Sequence, residues 1–270
     1  MSYLLSKDSY DTIPQKRAWP VNWFFNSRFY FFPRLCLNLY QLGKCAKHGL
    51  FNRERQTYYS EKNLRILENS GAQIHLRGLN NLSSETGSFV LVGNHMSLIE
   101  TVILNAMISP RIEFTYVIKR SLFKMPFLGW AMTAIHAIGV NRINARDDFK
   151  VIIEEGEKRL KAGCSVLIFP ESTRQNEFQA THFNSIGIKL AKNAGVKIIP
   201  FALKTDFITP SLVCKEFGSL HPENHIHFEF GAPIAVLGSG KEEHRIIIDF
   251  ITAKTSEWKK PSLEKVNAPL

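Results

Sequence analysis

A chain of 270 residues, 44% hydrophobic and 21% charged, is too apolar to be disordered over most of its length and long enough for one large domain or two small ones. Its formal charge of +10 favours a polyanionic partner, whether nucleic acid, an anionic membrane face or a phosphorylated small molecule. The four cysteines, Cys36, Cys45, Cys164 and Cys214, form no Cys-x-x-Cys pair, which argues against a zinc ribbon or a disulfide framework and fits a reducing compartment.

Met1 to Gln15 lacks the apolar core of a signal peptide. The most apolar stretch, Trp19 to Tyr40, is interrupted by Asn22, Asn26, Arg28, Pro33, Arg34 and Asn38. A spanning helix wants about 20 predominantly apolar residues, so the chain is expected not to cross a bilayer as a helix. Aromatic rings interleaved with arginine between Trp19 and Pro33 instead have the composition of a segment lying in a membrane interface. Leu35, Leu39 and Leu42 continue at helical spacing beside Arg34, Lys44 and Lys47, predicting an amphipathic helix with basic flanks. A second helix is expected from Gln56 to Asn69, stopped by Gly71. Residues 1–70 are therefore read as an N-terminal membrane-interface segment, 71–260 as the main domain and 261–270 as a tail.

From Ala72 onward strands and helices alternate. Gln73 to Leu76, Ser88 to Gly93 and Thr115 to Ile118 read as strands, with helical periodicity from Ser97 to about Met107. Asp148 to Lys161 is amphipathic and Gly163 stops it. Cys164 to Phe169 and Val196 to Leu203 are continuous apolar strands on either side of a helix over Ser185 to Asn193, and His225 to Phe230 alternates. Ser239-Gly-Lys-Glu242 has capping-box spacing before a last helix that carries Ile247, Phe250, Ile251 and Trp258. Buried strands alternating with helices define an α/β fold, a mostly buried sheet flanked by helices.

Two segments carry chemistry. Gly93-Asn-His-Met-Ser-Leu-Ile-Glu100 follows a strand and opens a helix. His95 in that turn can meet a substrate, and Glu100, five residues on, can hold one ring nitrogen so that the other takes a proton. The same residues allow a blander reading: Ser97-Leu-Ile-Glu100 is also a capping box, and a lone turn histidine is often merely solvated. The second segment, Phe169-Pro-Glu-Ser-Thr-Arg174, ends a buried strand, where the active sites of open α/β sheets gather. Arg174 offers a fork for phosphate oxygens.

These blocks resemble the glycerolipid acyltransferases typified by 1-acylglycerol-3-phosphate acyltransferase. The family's Asn-His-x-Ser-x-x-Asp block is similar to Asn94, His95 and Ser97, with Glu100 in place of Asp. Its Phe-Pro-Glu-Gly-Thr-Arg block is similar to Phe169, Pro170, Glu171, Thr173 and Arg174, with Ser172 in place of Gly. Ile138-Gly-Val-Asn-Arg142 and Ile198-Ile-Pro200 resemble its second and fourth blocks, and the order agrees over residues 72–235. The resemblance implies a single acyltransferase domain in which His95 is the general base and Glu100 its orienter. Lys119, Arg142, Glu171, Ser172, Thr173 and Arg174 would bind a glycerol phosphate acceptor. Acyl-coenzyme A or acyl carrier protein would be the donor substrate, with no cofactor and no covalent acyl-enzyme. The expected partner is membrane lipid, met by peripheral, monotopic attachment at the cytoplasmic face. Two other readings stay open: an acyltransferase for another lysolipid, including an amino-acid-linked one, or a non-catalytic lipid-binding homologue. Nucleic acid is not expected, since no recognised binding motif accompanies the charge. Nor is a metal: His221, His225 and His227 have ligand-like spacing, but no carboxylate or cysteine pattern completes a site.

Overall fold

The computed structural model describes residues 4, 7–13, 28–171, 173–208 and 218–259. Within them lie strands β1 (Tyr10–Asp11), β2 (Ile74–Arg77), β3 (Val90–Gly93), β4 (Phe114–Lys119), β5 (Ile138–Val140), β6 (Ser165–Ile168), β7 (Ile198–Lys204) and β8 (Ile226–Phe230). They form one mixed sheet in the order β1-β2-β8-β7-β3-β6-β4-β5. The stretch from β7 to β5 is parallel; β8 runs antiparallel to β7, β2 parallel to β8, and β1 antiparallel to β2. Strands β3 and β6 are buried along their whole length and β7 over all but its last residue. That is why they read as continuous apolar runs, the pattern of parallel strands covered on both faces.

The helices are α1 (Arg28–Lys47), α2 (Arg53–Asn69), α3 (Ile99–Ile108), α4 (Leu128–Ala134), α5 (Ala145–Lys161), α6 (Ile186–Ala194) and α7 (Lys241–Glu257). On one face of the sheet Phe31, Leu35, Leu64, Leu67, Ile103 and Met107 pack in one cluster with Leu91, Leu167 and Phe201. On the other, Ile152, Leu160, Ile188, Leu190, Ile247 and Ile251 pack against Val90, Val92 and Ala202. Helices α1 and α2 therefore share a core with the strands. No helix among the described residues is long and apolar enough to cross a membrane.

Local signals worked at most ends. Asn52 caps α2 by accepting a hydrogen bond from the Arg55 amide at 2.9 Å, and Gly195 ends α6 in the left-handed region at φ 67°. The capping box expected at Ser239 does not form. Gly240 enters α7 at φ 77°, Glu242 pairs with Arg245, and Glu243 accepts from the Leu237 amide at 2.8 Å instead. The tight chain reversal at Gly240 moves the carboxylate that faces the helix start one residue on. The aromatic run expected to open the N-terminal segment lies, for residues 19–27, outside the described residues.

Helix α1 lies on α4 through Gly43. A Cβ built there would sit 2.4 Å from the Phe127 carbonyl oxygen and 2.7 Å from its Cα, so backbone meets backbone and neither can yield. Gly43→Ala should cost ~1–3 kcal/mol through overpacking. Chemical denaturation of both proteins, read by circular dichroism, checks it, and an unchanged midpoint would show that α1 does not need this approach.

Candidate active site

The site is built at the carboxyl ends of β3, β4, β5 and β6. At the end of β3, Gly93 leaves room for the Phe201 ring, which a Cβ would meet at 2.3 Å. Asn94 then clasps β7: its amide donates to the Leu203 carbonyl at 2.8 Å and its oxygen accepts from the Leu203 amide at 2.9 Å. This two-way bond reproduces a ladder rung with a side chain and fixes where the chain leaves the sheet.

His95 comes next. Its Nδ1 lies 2.8 Å from Glu100 Oε1, and its ring stacks on Phe169 with centroids 4.2 Å apart. With Nδ1 donating to the carboxylate, Nε2 carries the lone pair. Glu100 is fully buried. Its Oε1 also accepts from the Met96 and Ser97 amides at 2.6 and 2.7 Å, and its Oε2 from the Ser97 and Thr205 hydroxyls at 2.8 and 2.7 Å. One carboxylate thus bonds both the Ser97 amide, as a cap would, and the His95 ring. Burial alone would raise its pKa, but the hydrogen bond and charge of His95, the Thr205 hydroxyl and the backbone outweigh this and hold it below the usual range.

Glu171 has a position that the sequence did not predict. Its Oε2 accepts from the His95 amide at 2.6 Å, and the Gln175 amide donates to the His95 carbonyl at 2.9 Å. The Phe169–Arg174 loop is thus bolted to the histidine turn. Burial pushes the Glu171 carboxyl up to about 7, with Glu100 adding repulsion, against hydrogen bonds from the backbone of His95 and Gln179.

A cavity of about 960 Å³ opens beside His95, a size suited to a small-molecule or lipid substrate. Lys119, Arg142 and Arg174 line it, each at or just after the carboxyl end of a strand. Arg142 stands at φ 59°, held there by Asp148, whose carboxylate accepts from the Asn141 and Arg142 amides at 2.8 and 2.7 Å. Desolvation and the nearby Arg174 both lower the Arg142 pKa, with Asp148 opposing them. Two guanidiniums near enough to repel each other favour an anion between them. Leu35 and Leu39 of α1, Val102 of α3, and Leu128 and Met132 of α4 form much of the apolar wall. Of the residues expected from the sequence, His95, Glu100, Lys119, Arg142, Glu171 and Arg174 converge. Thr173 turns back within the loop, its amide donating to the Glu171 carbonyl at 2.7 Å and its hydroxyl accepting from Gln175; Ser172 lies outside the described residues. Sequence reading missed Thr205, which follows β7 and has no local motif around it.

Residues 73–204 match the family model described as Acyltransferase. The chain is 35% identical over 133 residues to a 1-acyl-sn-glycerol-3-phosphate acyltransferase of Pseudomonas aeruginosa, a match covering 49% of this chain and 50% of that protein. It is 29% identical over 131 residues to a chloroplastic protein of the same description from Arabidopsis thaliana, covering 48% and 36%. It thus spans half or less of the length of these curated relatives. In shape it is similar to the crystal structure of the 1-acyl-sn-glycerophosphate (LPA) acyltransferase PlsC from Thermotoga maritima, with a TM-score of 0.68 at 17% identity over 87% of this chain and 95% of that one. That likeness establishes the fold.

The raised Glu171 pKa sets a pH dependence. An unfolded glutamate titrates near ~4.3, whereas folded Glu171 titrates at about 7, so the folded chain binds this proton more tightly. The resulting stability is complete below the unfolded value and is lost as pH rises through about 7. Glu171→Gln keeps an acceptor for the His95 amide and removes the titration. Between about pH 5 and about pH 8.5 the wild-type Tm should therefore fall more steeply than the variant's. Parallel pH dependences in scanning calorimetry would refute this.

Proposed function

We propose that the chain, whose residues 73–204 match the acyltransferase family model, transfers a fatty acyl group from a thioester to the free hydroxyl of a lysophospholipid, 1-acylglycerol 3-phosphate foremost. The observation that carries this reading is the His95–Glu100 pair beside a cavity that is basic on one side and apolar on the other. Arg142, Arg174 and Lys119 suit the acceptor's phosphate, and the apolar wall suits acyl chains. The relatives described as 1-acyl-sn-glycerol-3-phosphate acyltransferases support the same substrate class.

In the proposed reaction His95 Nε2 removes the acceptor's hydroxyl proton as the oxygen bonds to the thioester carbonyl carbon. Glu100 stabilises the imidazolium that forms. Collapse of the tetrahedral intermediate breaks the carbon–sulfur bond, and the imidazolium returns its proton to the leaving thiolate of coenzyme A or the carrier protein. Glu171 keeps the histidine turn in place through the His95 amide, while Thr173 turns back on the Glu171 carbonyl just before Arg174.

A basic-aromatic surface supports peripheral attachment to membrane, and we assign it to the cytoplasmic face on the expectation of a reducing compartment. Phe29, Leu37 and Tyr40 project from α1. Tyr40 packs edge-on against Phe127, Phe127 against Trp130, and the Lys47 ammonium lies 4.8 Å from the Trp130 ring centroid. Exposed rings beside lysines are the anchors of interfacial proteins. The combined change Phe29→Ser, Leu37→Ser and Trp130→Ser should leave the protein at the bottom of a flotation gradient with anionic vesicles. High salt should only partly release the wild type, because ring burial is unscreened. A triple variant that still floats would place the anchor elsewhere.

The chemistry is tested by acyl transfer to lysophosphatidate from both donor types. His95→Ala should lower kcat by ~10²–10⁴-fold. Glu100→Gln should be clearly impaired, because it keeps the shape but removes the charge that favours the imidazolium. The double variant should be scarcely worse than His95→Ala, since an orienter without a base has nothing to orient. Near-normal turnover in His95→Ala, with folding verified, would overturn the mechanism.

A further inference from the structure

Away from the active-site cavity, the sheet edge gathers a second polar cluster. His75 of β2 and His227 of β8 are direct register partners, and His225 lies just before β8. One ring nitrogen from each of the three falls within 4.8 Å of the other two. The sequence pointed to His221 as the third member; it turns instead to Glu223 at 2.8 Å, and His75, 150 residues from His225 in the chain, takes the place. We propose that His75, His225 and His227 bind one divalent transition-metal ion of the zinc class, fastening the β1–β2 edge to β8. The proposal departs from the sequence expectation of no metal, and it is independent of the acyl-transfer reading.

The donor set fits such an ion. Three imidazoles with a remaining position for water are a familiar zinc coordination, with nitrogen–metal bonds of about 2.0–2.1 Å. Tetrahedral geometry at that bond length separates ligand nitrogens by roughly 3.3–3.4 Å. His75 Nε2 and His225 Nδ1 already stand 3.0 Å apart, and a His227 ring nitrogen lies within 4.8 Å of a nitrogen of each. Without a cation the 3.0 Å contact is one N–H···N hydrogen bond; a bound ion replaces that proton and takes a lone pair from each ring.

An outer partner is also in place. Asp11 Oδ1 lies 2.7 Å from His75 Nδ1, which puts that ring's proton on Nδ1 and its lone pair on Nε2. A carboxylate behind a ligating histidine is the usual second layer of a metal site, where it fixes the tautomer and raises ligand basicity. Trp258, just after α7, stacks on His227 with ring centroids 5.1 Å apart and walls the cluster on one side. The cations around it are already paired: Arg77 with Asp11 at 2.8 Å, Lys204 with Asp206 at 2.7 Å, and Lys254 with Glu229 at 2.9 Å.

The test uses the full chain without a histidine tag, stripped with chelator and titrated with cobalt(II), whose visible d–d bands report tetrahedral coordination. Wild type should bind one equivalent, with the bands abolished by zinc but not by magnesium. His75→Gln and His227→Gln should each abolish the bands, Asp11→Asn should weaken binding by about 10–100-fold, and His221→Gln should leave it unchanged. Circular dichroism verifies folding. If a variant does not fold, the wild-type titration and its Tm with zinc against magnesium decide alone. No saturable cobalt binding to wild type, or undiminished binding to the folded His75 and His227 variants, would overturn the proposal.

Discussion

The site depends on one buried carboxylate. Glu100 has no exposed surface, and an ionised carboxylate in that position is costly unless its oxygens are satisfied. Five donors meet it: the His95 ring, the Met96 and Ser97 amides, and the Ser97 and Thr205 hydroxyls. Hydrogen bonds to a charged acceptor contribute about 1.5–3 kcal/mol each, enough together to keep the group ionised. They also settle the geometry. The amide donors fix the turn that holds His95, the ring donor fixes its tautomer, and Thr205 ties the turn to the end of β7. Capping a helix and holding the His95 ring are one arrangement here, because α3 starts where the histidine turn ends.

A second constraint is topological. The parallel strands β3, β4, β5 and β6 all end on one edge of the sheet, so residues distant in sequence arrive together there. His95 leaves β3, Lys119 ends β4, Arg142 follows β5 and Arg174 follows β6. The cations gather on one side of the cavity because these strands are neighbours, while α1, α3 and α4 close the other side with apolar residues. Helix α1 consequently does two things at once. Its inward residues, such as Leu35, sit in the core and its outward ones, such as Leu37, face solvent. Apolar residues on two faces thus make this helix part of the domain and leave an outer face for the membrane contact proposed above.

The sequence disclosed what is local and concealed what is assembled. The central strands were legible because burial on both faces leaves no alternation to misread, and α2, α5 and α6 because their stops are glycines or caps within one turn. His95 and Glu100 were legible because both lie in one eight-residue stretch. Helix α4 was not, being seven residues long and held by the close approach of Gly43 to Phe127 rather than by its own periodicity. Thr205 and His75 could not be assigned from neighbours in sequence, since each acquires its partners only through strand pairing. The role of Glu171 was half visible: its place at a strand end suggested a substrate contact, whereas its hydrogen bond to the His95 amide needed the loop's path.

Glu171 and Glu100 also show how two acidic groups can share one small buried region. Both carboxylates are nearly inaccessible, and two adjacent negative charges there would repel strongly with little solvent screening. Their surroundings separate them. Glu100 receives the His95 ring N–H and side-chain hydroxyls and is held down, while Glu171 receives backbone amides alone, feels Glu100, and is pushed up to about 7. Each can therefore keep the protonation state its position requires: ionised to orient an imidazole, or able to carry a proton while one oxygen still accepts from the His95 amide. Environments that drive neighbouring carboxylates apart are how proteins assign different tasks to one chemical group. Here the division leaves a single full negative charge beside His95, directed at Nδ1, and the histidine's other nitrogen is the one available for a substrate proton.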